Sequence, residues 1–286
     1  MRYYDSRPQS PLTDQQIMRS APSVFATEPW GQMSGRYRFV PTIDVINFMR
    51  RAGFLPVRAE QGRTRVQGKA DFTRHLIRFR HSEFFDPSRP LEVGGTIPEI
   101  VLVNSHDGTT GYNLDSGLFR KVCSNGLMVQ DAQFGSLKAR HSGRESDFYE
   151  QISAATAQIV QSAPAALERV ERWQGLSLPA PAQTALARAA LAIRDGSDDA
   201  PKIATAEPLR ARRYEDMPDR DGRRDLWTTV NVVQENILRG GMRGTGSTGR
   251  RYTSRPVASV TEDTRINRAI WQLGEEMARI LATSAS

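Results

Sequence analysis

Apolar and polar residues recur with two different periods along this chain, and the change falls near residue 140. Before it, period 2 dominates. Residues 71–81 read as a strand with Phe72, Arg74, Leu76, Arg78 and Arg80 on one face, and Thr73, His75, Ile77, Phe79 and His81 on the other. Residues 99–104 are β-branched and apolar, as suits a central strand. The Asp107-Gly108 pair predicts a tight turn into a partner strand at 111–114. Alternation returns at 136–141, with Ser136, Lys138 and Arg140 on one side, and shorter strand signals cover 54–58 and 65–67. Two helices precede the strands. One spans 13–26, with a break at Pro22; the other spans 42–49, with Thr42 as N-cap and Gly53 as terminator.

From Ser146 onward the period is helical. Ile152, Ala155, Ile159, Leu167, Val170 and Trp173 form one stripe, in which Pro164 predicts a kink or split. An alanine-rich helix follows at 179–195. Two amphipathic helices carry stripes Leu226, Val230, Val233, Ile237 and Ile266, Ile270, Leu273, Met277, Ile280. The expected architecture is α+β: a mainly antiparallel meander sheet followed by long helices, with a C-terminal helical region. Its expected divisions are an N-terminal extension (1–34) with a short helix, an α+β core domain (35–195), a linker (196–208) and a C-terminal helical region (209–286). That last region contains a Gly/Arg-rich loop at 239–256.

Composition adds a location and a charge. No run of 18 apolar residues exists; the longest candidate, 180–193, is interrupted by Gln183 and Arg188. The first residues lack the apolar segment of a signal peptide, and the single cysteine, Cys123, allows no internal disulfide. The expectation is a cytoplasmic protein without a membrane span. Net charge is +7, and all but four of the 39 basic residues are arginine (the exceptions are Lys69, Lys121, Lys138 and Lys202). Codon bias accounts for a choice of arginine over lysine, but not for its placement. Between residues 50 and 89 ten basic side chains face four acids, and between 239 and 255 five arginines face none. A focused positive field favours an anionic partner.

Candidate chemistry is sparse. His75, His81, His106 and His141 show no metal-ligand spacing, and His75 and His81 are about 20 Å apart along a strand. Cys123 lies near Arg120 and Lys121, which favour a thiolate, yet no nucleophile motif surrounds it, and a small buried residue is the plainer reading. Residues 244–249 match G-x-G-x-x-G, but a helix precedes them where a dinucleotide site needs a strand. A flexible loop, or a mobile phosphate-binding arm, accounts for them instead. Acids at Glu215, Asp216, Asp219 and Asp221 alternate with arginines, as on a solvated or salt-bridged surface. No catalytic residue, metal or cofactor is assigned.

The runs 104–108, 112–114, 117–120 and 122–127, with Leu226-Trp227-Thr228-Thr229-Val230-Asn231 through Gly241, resemble a plasmid- and phage-borne bacterial family, domain of unknown function 932. The resemblance implies a mobile-element setting. In outline the meander followed by a long helix is also similar to phage single-strand annealing proteins, which implies DNA as partner, single-stranded DNA in particular, and a homo-oligomer or ring. The leading expectation is thus non-catalytic DNA binding, extending to single-strand annealing in recombination. An accessory or counter-defence protein acting through protein contacts, and a nucleic-acid enzyme without a recognisable motif, are the alternatives. Expected phosphate contacts are Arg74, Arg78, Arg80, Arg120, Lys121, Lys138, Arg140, Arg239, Arg243, Arg250, Arg251 and Arg255, with Tyr112 and Phe119 as base-stacking candidates.

Overall fold

The structure, a computed structural model, describes residues 10–31, 37–85, 96–120, 126–128, 136–139, 145–196, 202–246 and 248–284. It divides into two compact units, one comprising residues 1–124 and 128–166, the other 125–127 and 167–286.

In the first unit, α1 (Asp14–Ser20) begins with a capping box. Thr13 Oγ1 accepts from the Gln16 amide, and Gln16 Oε1 accepts from the Thr13 amide at 2.8 Å. Pro22 ends the run and opens a 3-10 turn, Pro22–Phe25. The next helix, α2 (Thr42–Arg51), stops at Gly53, whose φ of 86° suits glycine. Its N-cap is Pro41, and the Thr42 hydroxyl makes no capping bond.

The strands β1 (Phe54–Gln61), β2 (His75–His81), β3 (Thr96–Asn104) and β4 (Tyr112–Arg120) form the antiparallel meander. With β5 (Gly126–Met128) and β6 (Ser136–Ala139) they make one six-stranded sheet, in which β6 also pairs β4. Residues 65–67 are not a strand but lie in the β1–β2 connection, and a 3-10 turn at Ala70–Phe72 delays the start of β2. The β3–β4 turn holds Asp107. Burial opposes its charge, yet hydrogen bonds from Thr109, Ser105 and Lys69 hold its carboxyl down at about 2.

One sheet face carries the core. Ile77, Phe79, Ile100, Leu102 and Leu114 pack with Ile17 of α1, with Val45, Ile46 and Met49 of α2, and with Phe148 and Ile152 of α3 (Glu145–Gln174). Each such side chain contributes about 1.5–3 kcal/mol on burial. Pro164 does not split α3. It removes one helical donor, and Val160, whose carbonyl loses that partner, is exposed to water. The two units divide at 166/167, within a turn of that proline.

The second unit is built around α5 (Leu226–Arg239), which is capped by Asp225 and buried from Leu226 to Leu238 at every position but Thr228. The end of α3, with α4 (Ala180–Asp195) and α6 (Val260–Ser284), completes its helical part. Strands β7 (Ser177–Leu178) and β8 (Arg224–Asp225) pair ahead of α5. Trp173 packs on Trp271 and Trp227, with ring centroids 4.8 and 6.1 Å away. Gly274 lies against the same ring, where a Cβ would come within 2.3 Å of Trp173.

Polar side chains of α5 also have structural work. Asn236 Nδ2 donates to the carbonyls of Pro208 and Arg210 at 2.8 and 2.9 Å, and Ile203 is 2% exposed. Residues 197–201 of the stretch expected as a linker, 196–208, lie outside the described residues. Among its described residues, the part from Lys202 onward is fastened to that unit's core. No helix among the described residues is long and apolar enough to cross a membrane.

Candidate nucleic-acid interface

The arginine-rich segment after α5 is not a loose loop. It forms a hairpin of β9 (Arg243–Thr245) and β10 (Arg251–Thr253), with Tyr252 opposite Gly244. At its tip the Gly249 amide donates to the Gly246 carbonyl, and the Gly246 amide donates to the Arg250 carbonyl, both at 2.9 Å. Gly249 has φ 79°, which few other residues adopt. The other edge of β9 bridges Ile203, and the Thr245 amide donates to the Lys202 carbonyl.

The base is clamped as well. The Gly241 amide donates to the Ser254 carbonyl, and the Ser254 amide donates to that of the buried Met242. Arg194 donates to the carbonyls of Ile237 and Arg255. Gly240 approaches Arg255 so closely that a Cβ would fall 2.6 Å from its carbonyl carbon. Glycine turns and a close chain crossing account for the glycines of this segment.

Four of the expected phosphate-binding residues stand out on this hairpin. Arg243, Arg250, Arg251 and Arg255 are exposed, and among the described residues no carboxylate pairs with any of their side chains. Lys202 is exposed beside them. One acid is near: Glu207 accepts from the Arg243 backbone amide at 2.8 Å. The fifth arginine, Arg239, is instead half-buried and paired with Glu235 at 2.6 Å; Arg213 holds the same carboxylate.

The sheet arginines behave otherwise. Register places Arg58, Arg78, Arg80, Glu60, Glu99 and Asp115 on one face, opposite the apolar core. Arg78 and Arg80 are 4% and 8% exposed, and both bind Glu99, at 2.6 and 2.7 Å. Burial pushes the Arg78 guanidinium below its ordinary value, against the pull of Glu99. These two are structural ion pairs, not phosphate contacts.

Arg74, ahead of β2, is half-buried with its guanidinium on Thr110. Arg120, Phe119 and Lys138 belong to β4 and β6, but their side chains are not among those described. Lys121, Cys123, Arg140 and His141 lie outside the described residues.

Tyr112 is likewise no stacking surface. It is fully buried, donates to the Val40 carbonyl at 2.8 Å and packs edge-on to Phe148. Its hydroxyl belongs to a closed polar cluster centred on Thr42. Thr42 Oγ1 lies within 2.9–3.1 Å of His75 Nε2, His106 Nε2, Tyr112 OH and Asn104 Nδ2. Ser23 Oγ reaches the other nitrogen of His75, at 2.9 Å. Ser23, Thr42, His75, Asn104, His106 and Tyr112 all have zero exposure, so the cluster holds α2 to the sheet and offers no path to a substrate. Among the described residues no group of three or more His, Cys, Asp or Glu is placed to hold a metal ion.

Sequence reasoning passed over Tyr252, which is 38% exposed between two arginine-bearing segments. Its signal was present in the run Arg250-Arg251-Tyr252, where an aromatic interrupts a cationic stretch. It also left Arg63 and Arg65 as charge only; both are exposed in the β1–β2 connection.

Together these features define an α+β protein, an antiparallel meander followed by long helices, that presents an ordered cationic hairpin. The chain belongs to the family described as domain of unknown function 932, whose model matches residues 29–271. It is similar to two proteins of Escherichia coli (strain K12). UPF0380 protein YafZ is 36% identical over 267 residues, 93% of this chain and 92% of that protein. UPF0380 protein YfjQ is 35% identical over the same share of each. No solved structure matches.

Proposed function

We propose that this protein binds DNA without acting on it chemically, and that the β9–β10 hairpin is the contact. The observation behind this reading is the set of four exposed arginines, Arg243, Arg250, Arg251 and Arg255, whose side chains face no carboxylate among the described residues. Guanidinium forks match phosphate oxygens, and an ordered hairpin holds them without the ordering cost of a mobile arm. The tip glycines let a phosphate backbone approach closely.

The test is charge reversal at Arg250→Glu with Arg251→Glu, measured by fluorescence anisotropy on labelled DNA. Affinity is expected to fall roughly tenfold for each arginine reversed. A control, Arg188→Glu with Arg279→Glu on the exposed sides of α4 and α6, changes net charge equally. It is expected to bind within a few-fold of the unaltered protein. Equal losses in both variants would reduce the effect to overall charge and defeat the assignment.

A further inference from the structure

We infer that Tyr252 is a stacking platform for an unpaired base, so that the hairpin takes single-stranded nucleic acid in preference to duplex. This rests on the DNA-binding reading above and adds the form of the ligand.

Tyr252 sits at the centre of β10, directly opposite Gly244. A Cβ at Gly244 would lie 2.7 Å from Cε1 and Cζ of the ring and 2.8 Å from its hydroxyl oxygen. The phenol therefore crosses the bare Gly244 backbone, which supports it from below. Despite that support the residue is 38% exposed on its strand. A ring backed by main chain loses little freedom when a base settles on its outer face.

Strand alternation sets the charges around the ring. Arg251 faces Thr245 and Arg243 faces Thr253, on the opposite side of the ribbon from Tyr252 and Gly244. Arg250 immediately precedes β10, two residues from Tyr252 and so roughly 7 Å away along an extended chain. A nucleotide stacked on Tyr252 thus has a guanidinium within reach of its phosphate. Duplex bases have both faces covered by their neighbours and cannot use the ring. Stacking of one base on an aromatic side chain corresponds to roughly a tenfold gain in affinity.

A purely architectural tyrosine, covering Gly244 and nothing more, is the competing account, and conservative variants separate the two. The full chain is titrated with labelled oligothymidine and with a duplex of equal length, using the unaltered protein, Tyr252→Phe and Tyr252→Leu. Leucine keeps an apolar cover on Gly244 but presents no aromatic face. Phenylalanine is expected to bind both DNAs as the unaltered protein does. Leucine is expected to lose roughly tenfold on the single strand, with duplex affinity and salt dependence unchanged because no charge is removed. A 2-aminopurine placed in the strand is expected to be quenched by the unaltered protein and the Phe variant, and not by the Leu variant.

Single-strand binding by Tyr252→Leu equal to that of the unaltered protein would overturn the inference. An equal loss on single strand and duplex would overturn it too, since that is the mark of a disturbed hairpin. The underlying reading fails differently. If Arg250→Glu with Arg251→Glu leaves binding intact, the hairpin is not the DNA contact at all. If that reversal abolishes binding while Tyr252→Leu does not weaken it, only the stacking role falls.

Discussion

Replacing Glu99 by alanine is expected to destabilise the first unit by about 3–5 kcal/mol. Its carboxylate is 2% exposed and receives both Arg78, at 2.6 Å, and Arg80, at 2.7 Å. Removing it leaves two buried guanidiniums without that carboxylate, and its share of the Coulomb attraction that offsets their desolvation is lost. Against a total stability of about 5–15 kcal/mol, that is a large share. Urea titration followed by circular dichroism measures it. The informative partner is the triple variant Arg78→Met, Arg80→Met, Glu99→Leu. It removes the charges together and is expected to be more stable than Glu99→Ala alone, because a buried ion cluster is strongly coupled but not strongly stabilising in total. The triple variant is also expected to bind DNA normally, which it would not do if Arg78 and Arg80 touched phosphate.

Thr42→Val is the second large effect. Valine matches threonine in shape, so packing survives, but the hydroxyl's hydrogen bonds, at most three at a time among His75, His106, Tyr112 and Asn104, are lost where all four are fully buried. At about 1–3 kcal/mol for each under-satisfied buried group, a loss of roughly 3 kcal/mol or more is expected. Thr42→Ser keeps the hydroxyl and removes one buried methyl, so it is expected to cost only about 1 kcal/mol. Thermal unfolding of the two variants checks this directly. Equal losses would show that the methyl, not the hydroxyl, fastens α2 to the sheet.

Much of the fold is legible in local chemistry. Period 2 in residues 71–81 and 99–104, with the Asp107-Gly108 turn leading on from the second run to β4, specifies the β2–β3–β4 meander, because register follows from which face is apolar. Thr13 and Gln16 announce α1 by their spacing alone. The misreadings of Thr42, Arg78 and Arg80 share one physical cause, which is long-range pairing of polar groups. Thr42 has the residue type of a cap, yet its hydroxyl is taken by groups 33 to 70 residues away. Arg78 and Arg80 alternate with apolar residues as a solvent-facing row does, but the register of β3 sets Glu99 beside them. The clue was a lone acid within a β-branched strand, which needs a cationic partner when buried. Likewise the linker-like composition at 196–208 conceals Ile203, buried against the hairpin, and carbonyls bound by Asn236.

The candidate site was half legible. Charge segregation pointed to residues 239–255, and four of those five arginines are exposed without a carboxylate partner among the described residues. What composition did not convey is order. Glycine at 240, 244 and 249 reads as flexibility, whereas here it permits a close chain crossing, a tyrosine laid on backbone, and a left-handed turn residue.

Salt dependence of single-strand binding tests the central claim most directly. Four arginine–phosphate contacts on the hairpin predict that log affinity falls linearly with log salt at a slope of about −3, and that Arg250→Glu with Arg251→Glu reduces this slope by about half. A slope near zero, or one that the double reversal leaves untouched, would contradict the assignment of the β9–β10 hairpin as the phosphate-binding surface.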